Sequence, residues 1–508
     1  MNRRALSGSL VVVLALGAPL VANMSALAAN ASCAKADHPG GDWPTYGHDY
    51  SNTRNQDEEK TIGLAEAATL QPAWYFSSEE AGGDGDFTGT PIVVDGCVYA
   101  GSNDGWVFAI NADTGELVWK TRVEKDGGIN STVAVSDGRV FASVSKVGKP
   151  YAVALDQASG DLVWETRLDD QPGSDIYSSP VIYDGFVILG VSGGAAELGD
   201  ESERYLFQGN YSLVDAATGH VLKKTYVIRP PDKDWQKPKD KFAGAAIWSS
   251  AAVDPDTDVG YLVSGNPFRP QVEHKYANSI LKIDLDRASP SFGEIVDHYK
   301  GTVDEYFPNF RDLPCFDIPG NPAPWYPQGL GACMDLDMDF GASPNLYKLD
   351  KRKVVGAGQK SGVYHLADAA TMKGVWKTIV GPPSAVGGVV GSTAFDDTGI
   401  YGPLTLGGYL WSIDRDDGLN RWLAPVGDGA HWGNPVAVAN GVVYTVDLKG
   451  FLNAYDTTTG VQVLAAPMWL AGGSGAKVSW GGVSIARNTV YGAVGITGGS
   501  GFIVAYQQ

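Results

Sequence analysis

Three aspartates stand at alternate positions in Asp335-Leu336-Asp337-Met338-Asp339, followed at once by Phe340-Gly341-Ala342-Ser343-Pro344. In an extended chain they share one face. Carboxylates held that close raise one another's pKa or bind a cation. Met338 and Phe340 point to a partly buried strand. The spacing begins like a calcium loop, but the sixth position is Phe340 and the twelfth is Leu346, so this is not an EF-hand. Asp254-x-Asp256-x-Asp258 fails the same test, with Gly265 at the twelfth position, and reads as solvated turn aspartates. Two neighbouring stretches hold further unusual residues, Ile247-Trp248-Ser249-Ser250 and Ser264-Gly265-Asn266-Pro267.

Other chemistries lack their residues. Gly190-Val191-Ser192-Gly193-Gly194 formally fits a serine-hydrolase elbow, yet no helix pattern follows, and a chain with 65 glycines produces such a match by chance. The seven histidines have no metal-ligand spacing; His48 and His431 fit core or surface roles better than the rim of a funnel. No C-x-x-C or C-x-x-C-H occurs, so there is no zinc ribbon and no covalent haem site.

The elements that must position these residues form a repeat. Ala109-Ile110-Asn111-Ala112-Asp113-Thr114-Gly115-Glu116-Leu117-Val118-Trp119 and Ala154-Leu155-Asp156-Gln157-Ala158-Ser159-Gly160-Asp161-Leu162-Val163-Trp164 are its clearest copies, each a strand, a turn and a second strand ending in Trp. The strand half recurs near positions 109, 154, 213, 283, 365, 412, 454 and 505. Its companion is a hairpin with Asp-Gly or Asn-Gly at the turn, as in Val93-Val94-Asp95-Gly96-Cys97-Val98-Tyr99 and Ala439-Asn440-Gly441-Val442-Val443-Tyr444; these pairs supply the positive φ of a tight turn. Units of four short strands at such spacing read as propeller blades. The fold expected is all-β, an eight-bladed β-propeller with four antiparallel strands per blade, seven blades being the other count considered. The last half-motif lacks a returning strand, which the segment around Gln71-Pro72-Ala73-Trp74 can supply, closing the ring and removing a sheet edge. The wide spacings from 213 to 283 and from 283 to 365 place inserted loops within blades four and five, near 220–245 and 300–335.

Composition agrees. Charged residues are 19% and hydrophobic residues 44% of 508, which excludes global disorder and suits short strands. A formal charge of −20 repels phosphate backbones, so nucleic acid is not an expected partner. Residues 1–28 read as a signal peptide: Arg3 and Arg4, an apolar run from Leu10 to Ala22, then Ala26-Leu27-Ala28. One propeller domain then spans 29–508, with no membrane span, in a periplasmic or secreted location. Export permits disulfides. Of the four cysteines, Cys315 and Cys333 are the preferred pair because they share one irregular Pro-rich segment; closing it is worth about 3 kcal/mol in the chain-entropy picture. Cys97, in a strand-like stretch, reads as a small buried apolar side chain.

The chain resembles the pyrroloquinoline quinone (PQQ) dependent alcohol dehydrogenases, an eight-bladed propeller family, and most of all their polyvinyl-alcohol-dehydrogenase-like branch. Asp42-Trp43-Pro44-Thr45-Tyr46-Gly47-His48-Asp49 with Ser51-Asn52-Thr53-Arg54 carries the resemblance, as do the Asp-x-Asp-Phe-Gly-Ala-Ser-Pro stretch and Gly358-Gln359-Lys360-Ser361-Gly362-Val363-Tyr364. It implies that Trp248 stacks on the quinone, that Lys360 contacts its carbonyl oxygens, and that Asn266 and Glu197 ligate a calcium or lanthanide ion. Asp339 matches the general base and a metal ligand, with Asp337 as the alternative base. These types suit the chemistry. A planar tricarboxylate needs an aromatic face and positive charge, hard oxygen ligands suit calcium, and a carboxylate can take the alcohol proton. Two departures stand out. No adjacent cysteines are present to cover the cofactor, so Gly127-Gly128-Ile129 is the expected cover, and Gln208 occupies a position where relatives often place Arg. The expected function is oxidation of a primary or secondary alcohol, polymeric or small, with electrons passed to a separate acceptor such as a cytochrome c. A non-catalytic scaffold for envelope protein assembly is the alternative; a hydrolase or lyase lacks a credible nucleophile or zinc site.

Overall fold

The computed structural model describes residues 31–194, 207–228, 243–267, 274–302, 338–383, 388–405, 408–426, 434–471, 479–496 and 499–508. Residues 1–28, Glu197, Cys315, Cys333, Asp335, Asp337, His431 and the segments 229–240 and 306–331 lie outside the described residues.

Eight four-stranded antiparallel sheets make up the described chain. The first blade is Ile92–Val94, Cys97–Gly101, Trp106–Asn111 and Leu117–Arg122, and six more follow in sequence order. The eighth combines Val483–Ala486, Thr489–Val494 and Phe502–Gln507 with Gln71–Ser77 from the other end of the chain, Tyr75 facing Val504. The expected closure is therefore present. All eight half-motifs fall on the third strand of a blade, from Trp106–Asn111 to Phe502–Gln507. At the hairpins, Asp95, Asp137 and Asn440 take φ of 51°, 49° and 45°, each followed by a left-handed Gly, as the Asp-Gly and Asn-Gly pairs require.

The repeat has a purpose between blades. Trp119 at the end of blade one donates its Nε1–H to Gln157 O in the turn of blade two, at 3.0 Å. Trp74, Trp164, Trp376 and Trp422 do the same to Ala112, Ala216, Asp416 and Thr457. The indole lies on the turn glycine: a Cβ on Gly160, at φ +75°, would stand 2.6 Å from the Trp119 ring. The Gly of one blade and the Trp of the preceding blade thus form one joint, whose hydrogen bond contributes about 1 kcal/mol.

The first strands of neighbouring blades touch and line the axis. Just before these strands runs a belt of hydroxyls. The N–H groups of Thr90, Thr132, Ser179, Ser250 and Ser343 donate to the side-chain oxygens of Thr132, Ser179, Ser250, Ser343 and Ser392, at 2.8 to 3.0 Å. Each bond crosses to the next blade, and Asn434 continues the belt by donating to Gly481 O.

On the hairpin-turn side of the belt, residues 41–56 cross the axis and bind the first strand of blade after blade. Trp43 pairs with Val93, and Val135 N–H donates to Pro44 O. Val253, Leu346 and Phe395 N–H donate to Tyr50, Ser51 and Thr53 O. Gln56 N–H donates to Val438 O while Val438 N–H donates to Arg54 O, a parallel bridge at Asn55, and Gln56 Nε2 reaches Ile485 O. Tyr50 meets Tyr183 of blade three edge-on at 5.6 Å. Arg54 is fully buried and donates to Val436 O, Val483 O and Tyr46 O, its guanidinium over Trp43 and Tyr46. Burial lowers its pKa to about 10, which leaves it charged at neutral pH. His48 packs edge-on against Trp43 in this plug, a core role.

Three expectations need correction. Cys97 is not a lone apolar side chain: it is disulfide-bonded to Cys33, and Ala34 N–H donates to Gly96 O beside it. The preferred Cys315–Cys333 pair lies outside the described residues. The inserts fall mainly between blades, from Tyr226 to Ala252 and from Lys300 to Asn345, because the long half-motif spacings count the connection as well as the blade. Asp254 is not a solvated turn residue; it is 3% exposed, caps its turn and pairs with Lys353.

Candidate functional site

On the other side of the belt from the plug, the connections of blades three to six lie side by side. Gly209 N–H donates to Gly244 O, Ala245 N–H to Asn266 O, Gly265 N–H to Ala246 O, Lys360 N–H to Asp339 O and Val389 N–H to Gln359 O. This backbone lacing brings four of the expected residues together. Asp339 is 3% exposed and Lys360 7%. The Lys360 ammonium stands 3.3 Å from Asp339 Oδ2, and Asn266 N–H donates to Asp339 Oδ1. The same ammonium lies 5.4 Å from the Trp248 ring centre. A flat aromatic, a cation, an amide and a carboxylate therefore converge.

Two glycines permit this approach. A Cβ on Gly265 would come within 2.6 Å of Asp339 Oδ1, and one on Gly341 within 2.9 Å of Trp248 Cη2. The expected strand around Asp339 is instead irregular from Met338 to Ser343, with Asp339 and Phe340 buried. Asp337 and Glu197, expected as alternative base and metal ligand, lie outside the described residues. Gly127-Gly128-Ile129 is packed into the seam of blades one and two: Gly128 pairs with Ser145, and Ile129 is fully buried. Gln208 has its main chain clamped by Gln171, which accepts its N–H and donates to its carbonyl.

The group to be held is tested against the donors present. Trp248 Nε1 and Ser249 Oγ are buried with no hydrogen-bond partner among the described residues, and orphaned donors suit a ligand rich in carboxylates. Asp339 supplies hard carboxylate oxygens, the kind that calcium prefers, and Asn266, whose main-chain N–H meets that carboxylate, carries a side-chain amide of a suitable type. No group of three metal-ligating side chains occurs among the described residues. In kind, the residues fit a planar anionic cofactor with a hard cation beside it.

Sequence reasoning missed Gln359 and His365. Both are buried, and Gln359 Nε2 donates to the Met338 carbonyl at 2.7 Å, one residue before Asp339. The available signal was a histidine between the apolar residues of the strand Val363–Asp368 and a glutamine beside the candidate lysine.

Comparisons with known proteins bear on the fold and on the resemblance. Residues 58–251 match the family described as "Outer membrane protein assembly factor BamB". A polyvinylalcohol dehydrogenase of Pseudomonas sp is 27% identical over 504 residues, covering 90% of this chain and 74% of the relative. The dehydrogenase subunit of a quinone alcohol dehydrogenase from Gluconacetobacter polyoxogenes is 29% identical, covering 56% of this chain and 42% of that one. Among solved structures, a quinohemoprotein alcohol dehydrogenase from Comamonas testosteroni superposes with a TM-score of 0.69 at 19% identity, covering 92% of this chain and 80% of that one, a likeness of fold.

Proposed function

We propose that this chain, a homologue of the polyvinyl alcohol dehydrogenases and quinone alcohol dehydrogenases, is itself a PQQ-dependent oxidoreductase acting on CH–OH groups. The observation that carries the reading is the buried Asp339–Lys360 pair beside the Trp248 face. A fold alone does not set function, but this pair is costly to bury and sits where the blade connections converge rather than in the blade cores.

PQQ, when bound, supplies a two-electron acceptor with an electrophilic carbonyl, and a calcium or lanthanide ion supplies Lewis acidity. Trp248 offers the face on which such a plane stacks, and Lys360 the compensating cation. Asn266 and Asp339, with Glu197 from outside the described residues, are the residues that would hold the ion. Oxidising an alcohol removes two electrons and two protons; Asp339 takes the hydroxyl proton at its carboxylate, with Asp337 as the second candidate. Lys360 and the Asn266 N–H hold that carboxylate in one orientation before substrate arrives. The alcohol is primary or secondary, polymeric or small. Export to the periplasm or beyond, and a cytochrome-type acceptor, complete the proposal.

A second reading, a non-catalytic scaffold in envelope protein assembly, draws on the family match over residues 58–251. Reconstitution with PQQ and calcium separates the two. Dye reduction with some member of an alcohol panel is expected. No dye reduction and no absorbance change on adding the quinone would leave the scaffold reading.

A further inference from the structure

The candidate base is gripped from behind by a chain of side chains that the reading above does not use. Gln359 is fully buried; its amide nitrogen donates to Met338 O at 2.7 Å and to Thr302 Oγ at 3.1 Å. Its amide oxygen faces His365 Nε2 at 3.0 Å and accepts the Ser361 hydroxyl at 2.6 Å. His365 Nδ1 lies 3.2 Å from the Tyr299 hydroxyl. The imidazole also meets the Phe340 ring edge-on, 5.3 Å between centres. Met338 and Phe340 flank Asp339, so one network holds both neighbours of the carboxylate-bearing residue while Lys360 N–H holds its carbonyl.

We propose that Gln359 and His365 are positioning residues for Asp339, linked in a relay of fixed polarity: Tyr299 O–H to His365 Nδ1, His365 Nε2–H to Gln359 Oε1, Gln359 Nε2–H to Met338 O. The polarity follows from the partners. Met338 O can only accept, so the amide nitrogen must face it and the amide oxygen must face His365. An unprotonated Nε2 at 3.0 Å would set its lone pair against those of that oxygen, which places the histidine proton on Nε2 and leaves Nδ1 to accept from Tyr299. Burial, with a smaller contribution from Lys377, lowers the His365 pKa to about 3, in keeping with a neutral ring. The relay sets where the carboxylate stands, and a displacement of about 1 Å can cost on the order of 10²-fold in rate.

The inference rests on Asp339 being the base, and its test keeps the two failures apart. The whole chain is ¹⁵N-labelled on histidine, and the His365 signal, identified by its loss in His365→Phe, is expected to be that of a neutral Nε2–H tautomer at pH 7 without any cofactor. An Nδ1–H tautomer or an imidazolium overturns the relay. The proteins are then reconstituted with PQQ and calcium. Gln359→Leu and His365→Phe should lower kcat by about 10- to 10²-fold, with KM for the alcohol and quinone affinity by Trp fluorescence within about threefold. His365→Gln, whose amide can still donate to Gln359, should recover most of the loss. Equal kcat in Gln359→Leu and wild type, or equal loss in His365→Phe and His365→Gln, overturns the positioning role. If Gln359→Leu does not fold, the His365 pair and the tautomer still decide. A wild type that binds quinone but oxidises no alcohol sinks the functional reading, and the relay's role with it, whatever the spectrum.

Discussion

The two ends of the propeller axis are built on opposite terms. At the hairpin-turn end the plug of residues 41–56 ties its buried cation into the main chain: the Arg54 guanidinium finds carbonyls from blades seven and eight, although Trp43 Nε1, Thr45 Oγ1 and His48 Nδ1 have no hydrogen-bond partner among the described residues. At the other end the buried cation faces a buried carboxylate instead. Trp248 Nε1 and Ser249 Oγ have no partner among the described residues, and a lysine and an aspartate share a site 7% and 3% exposed. The contrast teaches that one end commits its cation to main-chain carbonyls, which ties blades together, while the other keeps oppositely charged side chains face to face beside an aromatic ring, the arrangement that the proposed function uses, with the hydroxyl belt dividing them.

The largest expected effect breaks the comparison at the site. Asp339→Asn should lower kcat by about 10³-fold while quinone binding persists, the size expected for loss of a general base; reconstituted kinetics and fluorescence titration check this. Full activity would move the base to Asp337. Next comes the plug. Arg54→Met should destabilise the fold by about 3 kcal/mol, since it strands several buried carbonyls, yet leave KM unchanged in the fraction that folds. Denaturant titration beside kinetics measures both. A comparable loss, about 4 kcal/mol from loop-closure entropy, is expected on replacing both Cys33 and Cys97 by Ser. A smaller effect tests the joints between blades: Trp119→Phe keeps an aromatic ring, though a smaller one, and loses the bond to Gln157, which alone is worth about 1 kcal/mol.

The last test depends on pH. Burial pushes the Glu124 carboxyl up, but Lys146, the N–H groups of Asp126 and Lys125 and the Tyr151 hydroxyl outweigh it and bring the pKa down from 4.5 to about 2. A carboxylate with a depressed folded pKa adds stability above its unfolded pKa and loses it as pH falls through the folded one. Glu124→Gln should therefore destabilise at pH 7 and flatten the acid limb between about pH 4.5 and 2, as read by melting curves; an unchanged limb would refute the assignment.

Legibility in the sequence followed contact range. The strand half-motif and the Gly–Trp joint recur locally, so the eight blades could be counted, and Gln71–Ser77 could be named as the closing strand. Trp248, Asn266, Asp339 and Lys360 were found through family-like motifs, and the fold brings them together. The plug left no periodic trace, because Gln56 bonds Ile485 and Arg54 bonds Val483 across the length of the chain. The Cys33–Cys97 bond was hidden for a similar reason: nothing local marks Cys33 as lying beside the first blade. Gln359 stood inside a quoted motif, but its role depends on a histidine from the neighbouring strand and a tyrosine of another blade.

The eighth blade joins Gln71–Ser77 to three strands that come more than 400 residues later in the chain, with consequences for how the molecule is made. Residues 71–77 leave the ribosome early and must wait, their edge unpaired, until residues 502–507 are synthesised. Until then the nascent ring is an open arc with two sticky margins. A chaperone that shields such margins would suit its biosynthesis, and removing Phe502–Gln507 should yield aggregates rather than a smaller closed ring.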